Sequence, residues 1–221
     1  MNRKIWMRLP CILALSGPAA AVVPVGSVVI YSDGKVEKLL ANEEGRLTWE
    51  DDRKRVYVRS KNPIEPLLER RDFLSGRAYV QTRNSGNPDL ILTQPPGTRV
   101  EFSVIRTENT GENTKRTWEC VHQGTREKKV AGAVRKLDSY KCERFVYHRK
   151  FWNRMFRETK TFTYSPELGL IVDLKRKTRQ ASSKRKLVSV IAPDKVDYRR
   201  LSKKVRKIRA PEPAPTAQEA R

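Results

Sequence analysis

The chain has 221 residues, with 47 Lys and Arg against 25 Asp and Glu, giving a formal net charge of +22. That length holds one domain or two small ones, and 38% hydrophobic residues support a modest core but no multi-span helical membrane bundle. Aromatics at 8% and 11 glycines exclude wholesale disorder and collagen-like repeats, while two histidines and three cysteines leave little material for metal or acid–base sites.

Residues 1–21 read as an export signal. A basic start (Arg3, Lys4, Arg8) precedes an apolar run, Leu9 to Leu15, and then the small residues Ser16 to Ala21. This charged, apolar, small-residue order places cleavage after Ala21 and the mature protein in the periplasm. Cys11 follows Pro10 with no apolar stretch before it, which argues against a lipoprotein. A retained anchor is the stronger rival, since no charge occurs from Leu9 to Ser32, but Pro10, Pro18 and Pro24 interrupt that stretch. Cleavage would remove Cys11 and leave Cys120 and Cys142, an even pair suited to one disulfide in an oxidising compartment.

From Val28 the chain alternates short β-rich runs with turns. Val28–Tyr31, Val36–Leu40, Arg46–Trp49 and Val56–Val58 are separated by Ser32-Asp33-Gly34, Glu43-Glu44-Gly45 and Asp51–Lys54, so residues 22–83 read as an antiparallel meander. Ile64 to Arg71 reads as one or two helical turns. Residues 84–98 are rich in Asn, Gly and Pro and mark a connection to a second β-rich half, 99–174. That half has runs at Val100–Ile105, Thr117–His122, Lys128–Ala131, Ser139–His148, Thr159–Tyr164 and Leu170–Leu174. The expected fold class is mainly β, an antiparallel meander forming a curled sheet or half-barrel, with a short C-terminal amphipathic helix.

Charge is unevenly placed. Residues 22–174 hold 28 basic and 21 acidic side chains, a net of +7, whereas residues 175–209 hold 15 basic and two acidic, a net of +13. Within 175–209, Asp194 reads as the N-cap of a helix with Tyr198, Leu201, Val205 and Ile208 on one stripe. Residues 210–221 read as a disordered tail. The cationic group is Lys175, Arg176, Lys177, Arg179, Lys184, Arg185, Lys186, Arg199, Arg200, Lys203, Lys204, Arg206 and Lys207. It suits an anionic envelope component: phospholipid, lipopolysaccharide or wall polymer. The rival reading is a solubilising segment whose helix packs its stripe on the β domain. Nucleic acid is not favoured, because the segment offers one aromatic, Tyr198, and no stacking platform.

Two local patterns carry a resemblance. One runs from Trp118-Glu119-Cys120-Val121 through Val130-Ala131-Gly132 to Ser139–Arg144; the other is Tyr164-Ser165-Pro166-Glu167-Leu168-Gly169 before Ile171-Val172. Over residues 100–174 the chain resembles a loosely defined class of β-rich periplasmic proteins of Gram-negative bacteria. That class is similar in architecture to the half-barrel lipoprotein carriers of the periplasm. The resemblance implies a location and a fold, not an activity, and does not extend to the basic segment.

A strand at Lys128–Ala131 between the two cysteines would separate them by about 9.6 Å, beyond the disulfide Cα limit of about 7 Å. A disulfide therefore requires strong curvature or a loop there. The alternative for Cys120, His122, Cys142 and His148 is a zinc or copper site, although Cys-x-His is not a standard ligand spacing. The carboxylate pairs Glu43-Glu44 and Asp51-Asp52 fall in turns, and no nucleophile-elbow, phosphate-loop or His-Glu-x-x-His motif occurs. No cofactor and no catalytic residue are expected. An apolar cleft on the concave face of a half-barrel remains open.

Overall fold

The computed structural model describes residues 23–43, 45–65, 67–147 and 154–210. The expected leader 1–21, the expected tail residues 211–221, Glu44 and His148 lie outside them. Among the described residues the chain forms β1 (Val28–Tyr31), β2 (Val36–Glu43), β3 (Arg46–Asp51), β4 (Arg55–Ser60), β5 (Glu69–Asp72) and β6 (Ala78–Ser85). These are followed by β7 (Arg99–Glu108), β8 (Asn113–Val130), β9 (Ala133–Tyr147), β10 (Arg154–Ser165), β11 (Leu170–Thr178), β12 (Ser182–Ile191) and the helix α1 (Tyr198–Arg209).

Each strand pairs antiparallel with its sequence neighbours, and β12 returns to β1 (Val29 opposite Val190, Tyr31 opposite Leu187). The sheet is thus a closed barrel, which corrects the expected curled sheet or half-barrel. The closing strand comes from the segment read as a basic extension. Exposure alternates along the middle of Ser182–Ile191, and pairing it with β1 removes both open edges. Residues 175–178 end β11, so only residues beyond Ile191 leave the barrel wall.

A strict meander puts alternate turns at opposite ends. The turns after β1, β3, β5, β7 and β11 share one end, called upper here; those after β2, β4, β6, β8 and β10 share the lower end. The lower end is filled. Ile91, in the 3-10 turn Pro88–Leu92, is buried, as is Ile64 from the β4–β5 connection, and both pack with Val100, Phe102, Val104, Trp118, Tyr140 and Phe162. Residues 84–98 hold the end of β6 and the connection to β7 that caps this end, and β6 and β7 pair directly, Thr82 opposite Ile105. The helical turns expected at Ile64–Arg71 do not form; Glu69–Asp72 is strand β5.

The β8–β9 ribbon extends past the barrel wall. A register shift between His122 and Gly124 marks a bulge, and bulges bend a ribbon. Beyond it Leu137 is buried with Val23, Leu168, Leu170 and Val172, while Arg135 pairs with Glu167, so the ribbon folds across the lower end. Its tip is the two-residue turn Ala131-Gly132, with φ of 49° and 89°, the positive values that two-residue hairpins demand. Lys128–Ala131 is not a separate strand: its first three residues continue the strand that carries Cys120. Cys120 therefore faces Cys142 directly, with a Cα separation of 4.1 Å, and the two form a disulfide.

Helix α1 is capped by Asp197, not Asp194; its carboxylate accepts from the backbone N–H groups of Arg199 and Arg200. Leu201, Val205 and Ile208 are half-buried, whereas Tyr198 is 66% exposed. At the upper end Arg209 donates to the Gly34 carbonyl at 2.7 Å and reaches the Asp52 carboxylate. Gly34, at φ 75°, leaves the space that the Arg209 side chain crosses; a Cβ there would come within 2.5 Å of its Cγ.

Candidate functional site

Alternation along the strands sends two sets of charge to different places. On the outer wall, β11 and β12 present Lys175, Lys177, Lys184 and Lys186, all exposed, with Arg179 exposed in the turn between the strands. Lys175 lies directly opposite Lys184. Like charges in that position repel, and among the described residues no carboxylate pairs with either lysine. Asp173, opposite Lys186, is the acidic residue in this group. The exposed Arg199, Arg200, Lys203, Lys204, Arg206 and Lys207 of α1 continue the cationic surface.

Two residues of the expected surface group lie elsewhere. Arg176 and Arg185 alternate with those lysines and line the interior. Arg176 Nε donates to Glu158 at 2.6 Å, and Arg185 pairs with Asp33 at 2.6 Å. They are not part of a continuous outer surface.

The interior is partly hollow. A cavity of about 270 Å³ is walled by Tyr31, Leu47, Trp49, Tyr57, Leu170 and their neighbours. A second of about 420 Å³ is walled by Phe102, Val104, Trp118, Phe162 and others. Pro63, Leu67, Lys160, Ile171 and Leu174 line both. The inward charges cluster near the upper strand ends, above this apolar floor.

In the first cavity the ions are compensated. Glu37 is buried and accepts both guanidinium nitrogens of Arg59, at 2.6 and 2.8 Å, with Lys35 Nζ at 2.5 Å. Burial alone would raise the Glu37 pKa, but Arg59 and then Lys35 override it and hold the group at about 2. Asp51 is engaged by Arg55 at 2.7 Å and by the Tyr57 hydroxyl at 3.0 Å. Burial and the Asp51 hydrogen bond push the Tyr57 hydroxyl pKa up.

The second cavity is electrostatically incomplete. Glu158 is buried and accepts from Arg144 at 3.0 Å and Arg176 at 2.6 Å, with Lys160 Nζ at 3.8 Å. Next to this group, among the described residues, Arg116 has no carboxylate partner, and its buried Nε has no hydrogen-bond partner. Burial, then Arg106 and Arg144, lower its pKa. Burial brings Lys160 down to about 8, with Arg176, Arg116 and Arg144 acting in the same direction and Glu158 against them. Lys160 Nζ also lies 4.3 Å over the Trp118 ring, a cation–π contact.

The metal reading of Cys120 and Cys142 does not hold. Both sulfurs are consumed in the disulfide, so neither can act as a thiolate ligand. His122 stacks on Tyr140 with centroids 5.0 Å apart, and its Nε2 is 3.7 Å from Asp138.

Two solved structures resemble the chain. The hypothetical lipoprotein YmcC of Escherichia coli K12 gives a TM-score of 0.49 at 14% identity, over 80% of this chain and 91% of that one. A Bacteroides fragilis NCTC 9343 protein with a YmcC-like fold gives 0.39 at 10% identity, over 76% and 97%. No family model and no curated protein matches the chain.

Sequence reasoning missed the interior group altogether. The signal was present in Glu37, Arg59, Arg116 and Glu158, polar residues at inward parity. In a barrel wide enough to enclose a cavity, inward polar positions are permitted and periodicity does not distinguish them from surface ones.

Proposed function

We propose that this is an exported β-barrel protein of the bacterial envelope whose outer wall at β11–β12, continued by α1, binds an anionic envelope component. Phospholipid headgroups, lipopolysaccharide and wall polymer share the required chemistry, a dense array of phosphates or carboxylates. Export is supported by the signal-like order of residues 1–21 and by the Cys120–Cys142 disulfide, a bond characteristic of oxidising compartments.

The observation that carries the binding reading is the outward opposition of Lys175 and Lys184 without a compensating carboxylate among the described residues. A fold would be more stable with one of the two reversed, so the pair points to an anion from outside. Each lysine or arginine held near an acidic surface contributes about 1 kcal/mol, screened by salt. Outward positions of β8 and β9 carry Glu119, Lys141 and Glu143, so the wall is charged rather than a lipid-facing apolar band.

Deleting residues 175–221 would open the barrel, so substitution is the appropriate test. Co-sedimentation with anionic vesicles and with purified sacculi should be lost in the Lys175→Glu/Lys184→Glu protein and reduced by truncation after Asp197. Equal sedimentation by the wild-type and double-substituted proteins, or binding unaffected by salt, would overturn the proposal.

A further inference from the structure

We propose that the larger interior cavity is a binding site for a single-chain anionic amphiphile. Its carboxylate or phosphate head would be held by Arg116 and Lys160, and its chain would lie along the apolar wall. This site is independent of the outer-wall reading and uses none of its lysines.

Charge provides the first argument. Arg116, Arg144, Lys160 and Arg176 gather around one carboxylate, Glu158, a formal excess of three positive charges, while the cavity's other carboxylate, Glu65, is held by Arg83. Arg106 and Arg70 line the same cavity but have their own partners, Glu108 and Asp72. Arg116 therefore stands out as the unclaimed guanidinium, flanked by cations on adjacent strands. Buried cations without partners are costly, and a bound anion relieves that cost with charge-assisted hydrogen bonds. Burial first, and then the neighbouring cations, lower the pKa values of Arg116 and Lys160.

The walls provide the second argument. Phe102, Val104, Trp118, Phe162, Ile171 and Leu174 line the cavity below the cations. An inorganic anion would leave that apolar volume unused, whereas a neutral apolar ligand would leave the cations unpaired. A head-and-tail ligand satisfies both. At about 420 Å³ the cavity lies toward the small end of ligand pockets, roughly 300–1,000 Å³, which suits one chain rather than a diacyl lipid. Access is from the upper end, where the Arg176 side chain is 50% exposed while lining the cavity.

The test is calorimetric titration of the full chain, below micelle-forming concentrations, with dodecyl phosphate, dodecanoate, dodecyltrimethylammonium and inorganic phosphate. One equivalent of dodecyl phosphate or dodecanoate should bind, and their relative affinities will identify the preferred head group. The cationic amphiphile and inorganic phosphate should bind at least tenfold more weakly. Arg116→Ala should weaken binding tenfold or more, Arg116→Lys should recover part of it, and Leu174→Trp should block the chain path. The Lys175→Glu/Lys184→Glu protein should bind the amphiphile like wild type. Failure of both anionic amphiphiles to bind, equal binding of the cationic one, or no effect of either Arg116→Ala or Leu174→Trp would overturn the proposal. Loss of amphiphile binding in the outer-wall variant alone would overturn it too, by assigning the binding to the outside.

Discussion

Glu37 accepts both terminal nitrogens of Arg59, a bidentate pair that joins β2 to β4 across β3 inside the barrel. Both groups are desolvated, so the bond's contribution depends on the carboxyl remaining ionised. Its folded pKa of about 2 lies below the ordinary value of 4.5. The resulting stability is present above pH 4.5 and is lost as pH falls from 4.5 toward 2, on the order of 3 kcal/mol. Urea midpoints between pH 7 and 2.5 should therefore fall more steeply for wild type than for Glu37→Gln. The Gln variant should be less stable at pH 7 by about 3–5 kcal/mol, since Arg59 is left buried and unpaired. Parallel pH profiles for the two proteins would contradict this account.

The Cys120–Cys142 bond closes a loop with a sequence separation of 22 inside one ribbon. On the chain-entropy view it stabilises by about 3 kcal/mol. Replacing both cysteines with Ala should lower the urea midpoint accordingly, and adding reductant to wild type should have the same effect. The double variant should itself be indifferent to reductant. Unequal losses from the two treatments would show that packing of the sulfurs, rather than the covalent constraint, carries the effect.

The same ribbon shows how far the residues reveal the fold. The apolar run Val28–Tyr31 and the β-rich run Val100–Ile105 form strands as their composition suggests, and Pro166–Gly169 forms a turn. Gly124 is different. At φ 114° it serves a bulge, not a reversal, so the strand continues to Val130 and the true turn is Ala131-Gly132. A glycine signals that positive φ is needed, and bulges and hairpins need it alike. Closure of the barrel was also hidden. Ser182–Ile191 lies within a stretch whose Lys and Arg content reads as a solvated tail, yet Arg185 and Leu187 take inward parity once β12 pairs with β1 and β11. The candidate outer surface was thus legible as composition, whereas the interior site depends on strand parity that charge content does not report.

Lys175 and Lys184 provide a direct measure of what the cationic wall costs in stability. Converting one repelling cross-strand pair to an attractive one should gain roughly 0.2–1 kcal/mol. Lys175→Glu and Lys184→Glu should each raise Tm by a few degrees at low salt, and the double substitution should return near wild type, since it restores like charges. The gains should shrink at 0.5 M salt. A lowered Tm in both single variants would mean that the lysines are held by interactions other than the repulsion described here.

Lys160 bears on the interior. Its ammonium is crowded by Arg116, Arg144 and Arg176, and its pKa falls to about 8 from 10.5, with burial the largest cause. The sign is opposite to that of Glu37. Below pH 8 the folded protein carries a charge that the interior disfavours, and the penalty disappears as pH rises from 8 through 10.5. The side chain is 29% exposed to the cavity, which cuts the penalty from its fully buried value to about 2 kcal/mol. Lys160→Met should therefore be more stable than wild type at pH 7 by about that amount, and the two urea midpoints should converge near pH 10. Glu158 keeps Arg144 and Arg176 in the variant, so the substitution leaves no orphaned carboxylate. Saturating wild type with an anionic amphiphile should raise the Lys160 pKa, followed by ¹⁵N- or ¹³C-detected titration of the labelled lysine, because a bound head group favours the charged form. A Lys160→Met protein that is less stable at pH 7 would show that attraction to Glu158 outweighs the surrounding cations.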